Sequence, residues 1–145
     1  MNAAFAFCVG SVGALRYQHL MFQVLLVAFG GAIGSVLRYY VGIWGLRLAG
    51  PAFPWGTLTV NVVGSFIIGV FAEVIARKYG GLTDLRLLLM TGLVGGFTTF
   101  SAFSLDTVAL IERGNIGIAL LYVFVSVGLS LGTVFAGLSV GRALT

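Results

Sequence analysis

Four long apolar segments, separated by short loops, constrain this chain more than any other feature of its sequence. A membrane-spanning helix needs about 20 predominantly apolar residues, and each segment reaches roughly that length. Only 8% of the 145 residues are charged, whereas soluble domains carry about a quarter. The sequence therefore predicts an all-α integral membrane protein with no room for a soluble catalytic domain. We predict transmembrane helices at residues 22–40, 57–76, 85–111 and 116–138.

The first twenty residues fit this pattern poorly, because the apolar run at 3–15 is too short to span a membrane. A conventional hydrophobic opening begins at Met21. We interpret residues 1–20 as a variable extension or the product of a misassigned start, and residues 21–145 as a four-helix membrane domain. An interfacial helix is the alternative for the first twenty residues. The single cysteine excludes a disulfide within the chain and any multi-cysteine metal site.

The segment Thr91–Thr107 lies within the third predicted span but is unlike an ordinary membrane helix. It holds Gly95–Gly96 beside Thr98–Thr99, followed by Phe100 and Phe103. Glycine and β-branched residues are weak helix formers, and this predicted span is longer than a simple crossing requires. Backbone that leaves a helix inside a membrane must be covered by protein or line a polar cavity. We therefore predict a third helix that is broken mid-membrane at a functional site.

The second and fourth predicted helices carry polar side chains at helical spacing, and the first predicted helix has an arginine near its end. The second helix has Thr57, Asn61 and Ser65 on one face, and the fourth has Tyr122, Ser126, Ser130 and Thr133. A lone membrane amide often only links helices, but a stripe of three favours a polar path.

Arg38 either extends its charge to the membrane surface or faces a polar vestibule. The pairs Gly30/Gly34 and Gly128/Gly132 permit close helix packing.

The polar lining indicates the class of solute. No carboxylate lies deep in a predicted span, which argues against a proton-coupled cation exporter. Hydroxyl and amide donors suit a small anion, and phenyl rings have positive edges, although Phe100 and Phe103 at this spacing are also typical of core packing. No span contains a histidine, and no serine has an evident base, so the sequence gives no support for an enzyme. The one basic doublet, Arg77–Lys78, gives no support for nucleic-acid binding.

Three motifs carry a resemblance to the Fluc/CrcB family of fluoride channels. They are GGAIGSVLRY at 30–39, FPWGTLTVN at 53–61 and GGFTTFSAFS at 95–104. The resemblance covers about Met21–Arg142 and implies passive export of fluoride across the cell inner membrane, which relieves fluoride toxicity. It also implies an antiparallel homodimer of dual topology, with two pores and a structural Na⁺ on the dimer axis. The weak bias of Lys and Arg between the two sides is compatible with insertion in both directions, and four helices alone surround a polar path poorly.

The resemblance also implies roles for particular residues. The fluoride pathway would be lined by Asn61, Phe100, Phe103, Ser104, Tyr122, Ser126, Ser130 and Arg38. The Na⁺ would be held by the main-chain carbonyls of Gly95 and Thr98. Two other hypotheses stay open. A small multidrug-resistance-type exporter requires an acid in the first span, and residues 22–40 contain none. A non-transporting packing subunit would not need Asn61 or Phe100 for ion flux.

Overall fold

The computed structural model describes the backbone from Ala3 to Thr145 and the side chains from Tyr17 onward. Within that part of the chain every regular element is helical. The elements are α1 (Ala3–Ala49), α2 (Trp55–Lys78), α3 (Thr83–Arg86), a π-helix π1 (Leu87–Val94), α4 (Gly95–Phe97), α5 (Phe100–Glu112) and α6 (Ile116–Ala143). Four segments are long and apolar enough to cross a membrane: Tyr17–Ala49, Trp55–Lys78, Thr83–Glu112 and Ile116–Ala143. This confirms the predicted all-helical, four-span architecture.

The first helix is longer than predicted at both ends. It continues beyond residue 40 because Gly45 lies against α2, where an added Cβ would be 2.8 Å from the nitrogen of Gly56. It ends at Ala49, and the next residue, Gly50, has φ +74° and donates its N–H to the carbonyl of Leu46 at 3.0 Å. Glycine favours this left-handed conformation just past a helix end. The connection to α2 is consequently much shorter than the interval of residues 41–56 between the first two predicted helices.

At its other end, α1 is helical from Ala3 and runs without a break through the residues interpreted as an extension. Residues 1 and 2, and all side chains before Tyr17 including that of Cys8, lie outside the described part of the chain. The role of residues 1–20 stays a prediction.

The third span packs against α1 through glycines. An added Cβ on Gly30 would be 2.8 Å from the nitrogen of Leu93, and one on Gly34 would be 2.8 Å from the nitrogen of Phe97. In the opposite direction, an added Cβ on Gly96 would be 3.0 Å from the Cα of Gly31. The two backbones therefore touch directly, which confirms the predicted packing role of the Gly30/Gly34 pair.

The second helix packs against α6, but not through the predicted Gly128/Gly132 pair. An added Cβ on either of those glycines would meet no described atom within 4 Å. The contact instead uses Gly69 and Gly137, where an added Cβ on Gly137 would be 3.1 Å from the nitrogen of Val70. The Gly128/Gly132 pair packs against no described residue of its own chain, because that face of α6 points away from its neighbours, so its packing role stays a prediction.

The third span is broken near its middle, as predicted. Thr98 (φ −83°, ψ 161°) and Thr99 (φ −156°, ψ 118°) are extended, while Gly95 remains helical (φ −61°, ψ −37°). The break therefore lies at the two threonines and not at the glycine pair. The preceding π-helix was not predicted; π-turns are rare and frequently occur at functional sites.

Candidate functional site

The break in the third span is fixed by Asn61 of α2. The Asn61 amide donates to the carbonyl of Thr99 at 3.0 Å, and the Thr99 N–H donates to Oδ1 of Asn61 at 2.8 Å. One side chain thus forms the pair of hydrogen bonds that a neighbouring backbone would form. Because an unpaired backbone group is costly inside a membrane, Asn61 makes an extended residue acceptable at this depth.

Thr99 also begins the helix that follows. Its hydroxyl accepts a hydrogen bond from the N–H of Ala102 at 3.2 Å, which is the geometry of a helix N-cap. Thr98 closes the preceding helix, since its N–H and its hydroxyl both donate to the carbonyl of Val94, at 2.9 Å and 3.0 Å. The Thr-Thr pair therefore ends one helix and starts the next.

Arg38 reaches the break from the α1 side. Its Nη1 donates to the carbonyl of Thr98 at 3.3 Å. Arg38 lies one turn beyond Gly34, on the same face of α1, so the close contact at Gly34 brings the guanidinium to the break. Arg38 and Asn61 thus contact consecutive residues of the break from two different helices.

A cavity of about 360 Å³ lies beside the break, between α2 and α6. It brings together five of the residues implied by the resemblance, namely Asn61, Phe100, Phe103, Ser126 and Ser130. Ser65, Thr98 and Thr99 also line it, together with apolar side chains. The hydroxyl and amide groups of two helices therefore converge on one cavity at the break. We call it the break cavity.

The two phenylalanines in this cavity have different surroundings. Phe103 lies 5.3 Å, centroid to centroid, from the ring of Tyr122 and is partly buried in the apolar core. The Phe100 ring is 5.6 Å from that of Phe103 but is 78% exposed in the single chain. Phe103 is therefore fixed by its own chain, whereas Phe100 extends beyond it.

Three of the predicted pathway residues do not line the break cavity. Arg38 contacts the Thr98 carbonyl from α1. The Ser104 hydroxyl donates to the carbonyl of Phe100 at 3.0 Å, within its own helix. Tyr122 is fully buried next to the cavity. Thr133 donates to the carbonyl of Val62 at 3.0 Å, so the last member of the α6 stripe links helices.

A second polar cluster, absent from the predicted site, lies at the start of α2. The Thr57 hydroxyl donates to Oδ2 of Asp106 at 2.6 Å. Both residues line a second cavity of about 240 Å³, which also contains Trp55 and Arg113. The sequence held a signal for this cluster, because Asp106 continues the three-residue spacing of Phe100 and Phe103, and Thr57 begins the α2 stripe.

Two buried hydroxyls lie along α6. The Oη of Tyr122 and the Oγ of Ser126 are inaccessible, and neither has a hydrogen-bond partner among the described residues. Buried polar atoms are nearly always paired, so two adjacent exceptions on one face of a helix call for an explanation. The Thr57, Asp106 and Ser126 side chains lie near the Tyr122 hydroxyl, so the polar groups of the chain surround it.

The carbonyls of Gly95 and Thr98 have the chemistry that a Na⁺ site requires. In a continuous helix the Gly95 carbonyl would accept from the N–H of Thr99, but that N–H donates to Asn61. The Thr98 carbonyl accepts from Arg38 and, having two lone pairs, can accept a further partner. Unwound backbone carbonyls and helix C-terminal ends are typical Na⁺ ligands in membrane proteins. The two carbonyls therefore supply oxygen ligands of the right chemistry for such an ion, with the Arg38 guanidinium as a second positive charge at the Thr98 oxygen.

Comparison with known proteins identifies the family. Residues 25–138 match the family model described as "CrcB-like protein, Camphor Resistance (CrcB)". The chain is 68% identical over 124 residues to "Fluoride-specific ion channel FluC" of Rhizobium johnstonii, a match that covers 86% of this chain and 99% of that protein. It is 57% identical over 124 residues to the FluC protein of Agrobacterium fabrum, with the same coverage. It is 50% identical over 121 residues to "Fluoride-specific ion channel FluC 1" of Nitrobacter hamburgensis, covering 83% of this chain and 96% of that protein. This chain belongs to the CrcB family.

Proposed function

We propose that this protein is a fluoride-selective channel that passively exports fluoride across the cell inner membrane and so relieves fluoride toxicity. The observation that carries the proposal is the identity of 50–68% to relatives named fluoride-specific ion channels, over 96–99% of their length. The four apolar spans agree with a multi-pass membrane protein. The small multidrug-resistance-type exporter is not favoured by these relatives.

Physical chemistry supports an anion path through the break cavity. Fluoride is small and tightly hydrated, so a selective lining must replace its water with several donors and still allow the ion to leave. The cavity offers the Asn61 amide, the Ser126 and Ser130 hydroxyls and the edges of Phe100 and Phe103. We assign these groups to the fluoride pathway.

We extend this path through the two unpartnered hydroxyls. The buried Oη of Tyr122 and Oγ of Ser126 lie on α6, and Ser126 lines the break cavity. The Thr57–Asp106 cluster lines the second cavity. Donors on α6 therefore provide a route for fluoride between the two cavities. Arg38 and Ser104 would act at the margins of this route, Arg38 by adding positive charge near the break.

We propose that two antiparallel chains form the functional unit. The break cavity is open in the single chain, and the 78% exposure of Phe100 leaves a large ring with no cover from its own chain. A second copy would cover this face and complete the walls of the cavity. Two copies would also contribute four carbonyl oxygens, from Gly95 and Thr98 of each chain, to a Na⁺ on the dimer axis. Such an ion would supply a fixed positive charge between the two broken helices.

The test of function is fluoride efflux from liposomes. Full-length protein is reconstituted into vesicles loaded with potassium fluoride, and release is measured with a fluoride electrode after a potassium ionophore is added. We expect rapid fluoride release and little release from matched vesicles loaded with potassium chloride. Vesicles with protein that release fluoride no faster than empty vesicles would overturn the proposal.

Assembly is tested separately. We expect the purified protein to have the mass of a dimer by light scattering after subtraction of the detergent. Single-cysteine variants in a Cys8→Ala background should be labelled from both sides of the membrane if insertion is dual. A monomeric mass would contradict the dimer, and one-sided labelling would contradict the antiparallel arrangement.

A further inference from the structure

A cluster of charges lies at the C-terminal ends of α2 and α6. Its members are 12 or more residues in sequence from every residue of the proposed pathway. Glu73 and Arg77 belong to α2, and Arg142 belongs to α6. The Nε of Arg77 lies 2.5 Å from Oε1 of Glu73, and the Nε of Arg142 lies 3.3 Å from the same oxygen. One carboxylate oxygen therefore holds two arginines from different spans beside each other. We call these three residues the arginine clamp.

The clamp depends on the close packing of the two helices. Gly141 is buried, and an added Cβ there would be 2.7 Å from the Cβ of Glu73. The absence of a side chain at Gly141 gives Glu73 its place between the helices, where its side chain is only 15% exposed. The carboxylate is therefore held firmly while the arginines extend outward.

The two guanidinium groups are available to a ligand. The Arg77 and Arg142 side chains are 55% and 59% exposed. Each uses its Nε for Glu73, and no described residue accepts a hydrogen bond from the Nη atoms of either. Glu73 neutralises only one of the two charges, and Lys78 follows Arg77 directly. The cluster thus keeps a net positive charge and four Nη groups that have no hydrogen-bond acceptor among the described residues.

The position of the clamp identifies the ligand class. Arg77 and Lys78 end one membrane span, Arg142 lies in the last turn of another, and Tyr79 is exposed beside them. Tyrosine and basic residues at span ends lie at the level of lipid head groups. Basic pockets between membrane helices bind anionic head groups, and guanidinium groups form paired, charge-assisted hydrogen bonds to phosphate.

We propose that Arg77 and Arg142 together bind the phosphodiester of an anionic glycerophospholipid. An isolated surface ion pair of Glu73 and Arg77 would contribute little to the stability of the protein. A second arginine on the same carboxylate places two guanidinium groups together, where both can bind one phosphate. Binding involves no covalent step and does not depend on the fluoride path.

The test measures lipid retained by the intact protein. Full-length protein in detergent is mixed with equal amounts of phosphatidylglycerol and phosphatidylcholine and analysed by native mass spectrometry. We expect wild type to retain phosphatidylglycerol preferentially, and the double variant Arg77→Gln/Arg142→Gln to retain at least fivefold less. The matched control is Arg47→Gln/Arg113→Gln, which removes the same charge from the opposite ends of the helices and should retain the lipid like wild type.

Two further arms separate the clamp from charge alone and from free phosphate. Glu73→Gln raises the net charge by one but releases both arginines, so we expect retention to fall; a rise would show simple charge attraction and overturn the proposal. Inorganic phosphate at millimolar concentration should leave retention unchanged, and full displacement by it would assign the site to phosphate in place of lipid. Equal retention by wild type and the arginine double variant would also overturn the proposal. Size-exclusion profiles of all variants verify folding, and retention is measured independently of fluoride flux.

Discussion

The two halves of the broken third span contact the protein in opposite ways. The first half, Thr83–Phe97, touches α1 through backbone, because glycines on both sides bring the main chains into direct contact. The second half, α5, contacts its neighbours through side chains and leaves several large apolar groups exposed. These are Phe100, Leu105, Val108 and Ile111. The first half is therefore fixed within its own chain, and the second leaves exposed the side chains that the proposed fluoride path and the proposed dimer would use.

The junction between the halves, Thr98–Thr99, combines a backbone fixed by other helices with side chains that line a cavity. Its backbone is held by Asn61 and Arg38, while its threonines line the break cavity. We expect the rigidity of the chain to depend on the first side of the break and ion passage to depend on the second. Substitutions on the two sides should consequently differ in kind, with stability lost on one and flux lost on the other.

The largest effect is expected at the glycine contact. Gly34→Ala would place a methyl group 2.8 Å from the nitrogen of Phe97, next to main chain that cannot turn aside. Overpacking a tight contact costs about 1–3 kcal/mol, occasionally more, so we expect a clearly lower melting temperature and aggregation in size-exclusion chromatography. Gly42→Ala, on the same helix but with no described atom within 4 Å of the added Cβ, is the control. Equal melting temperatures for the two variants would show that the close backbone contact at Gly34 does not determine the stability of the chain.

Asn61→Ala should affect both stability and flux, because Asn61 belongs to the junction. Two backbone groups of Thr99 would lose their partners, at a cost of about 1–3 kcal/mol each. A barrier raised by only about 1.4 kcal/mol slows passage tenfold, so we expect fluoride efflux to fall at least about tenfold. Thr133→Val is the control, since it removes a helix-linking hydroxyl outside the break cavity. It should lower the melting temperature slightly and leave efflux intact; equal loss of efflux in both would contradict the assigned role of Asn61.

Phe100→Ile should separate flux from stability. The ring is largely exposed in the single chain, so its loss should change the melting temperature of the chain little. We expect efflux to fall about tenfold or less, which corresponds to about 1.4 kcal/mol or less at the barrier, because an aliphatic group has no positive ring edge. Phe124→Ile on α6 is matched in chemistry and in its 74% exposure. If Phe124→Ile reduces the electrode signal as much as Phe100→Ile does, the ring edge has no special role.

The smallest effect is expected from Tyr122→Phe. This change removes a buried hydroxyl that has no partner among the described residues, so we expect stability to stay constant or to rise by about 1 kcal/mol. Efflux should fall only a few-fold, because neighbouring hydroxyls such as that of Ser126 remain. Paired thermal-melt and electrode measurements check this. A marked loss of stability would mean that the hydroxyl has a structural partner.

The sequence predicted the break better than it predicted the helix ends. A glycine pair followed by two adjacent β-branched threonines is a local signal of a break, and the structure confirms the break at Thr98–Thr99 but not at Gly95–Gly96. The continuation of α1 past Gly42 and Gly45 depends on contact with Gly56, which is tertiary information. Glycines indicate both turns and close packing, so sequence alone could not separate the two.

The same limit applies to the candidate site. Helical spacing brought Asn61, Ser126 and Ser130 to the break cavity, because each stripe follows one helix face. The spacing could not show that Arg38 meets the Thr98 carbonyl or that Thr57 bonds Asp106, since both contacts join residues of different helices. The π-helix likewise left no local pattern that we recognised.

The glycine contact between α1 and the third span also has a genetic consequence. A Cβ added to Gly34 would meet the main-chain nitrogen of Phe97, and one added to Gly96 would meet the Cα of Gly31. Main-chain atoms are common to all residues, so no substitution at a neighbouring position can make room for the added methyl group. A selection for revertants of Gly34→Ala should therefore return glycine at the same codon, and compensating changes elsewhere should be absent.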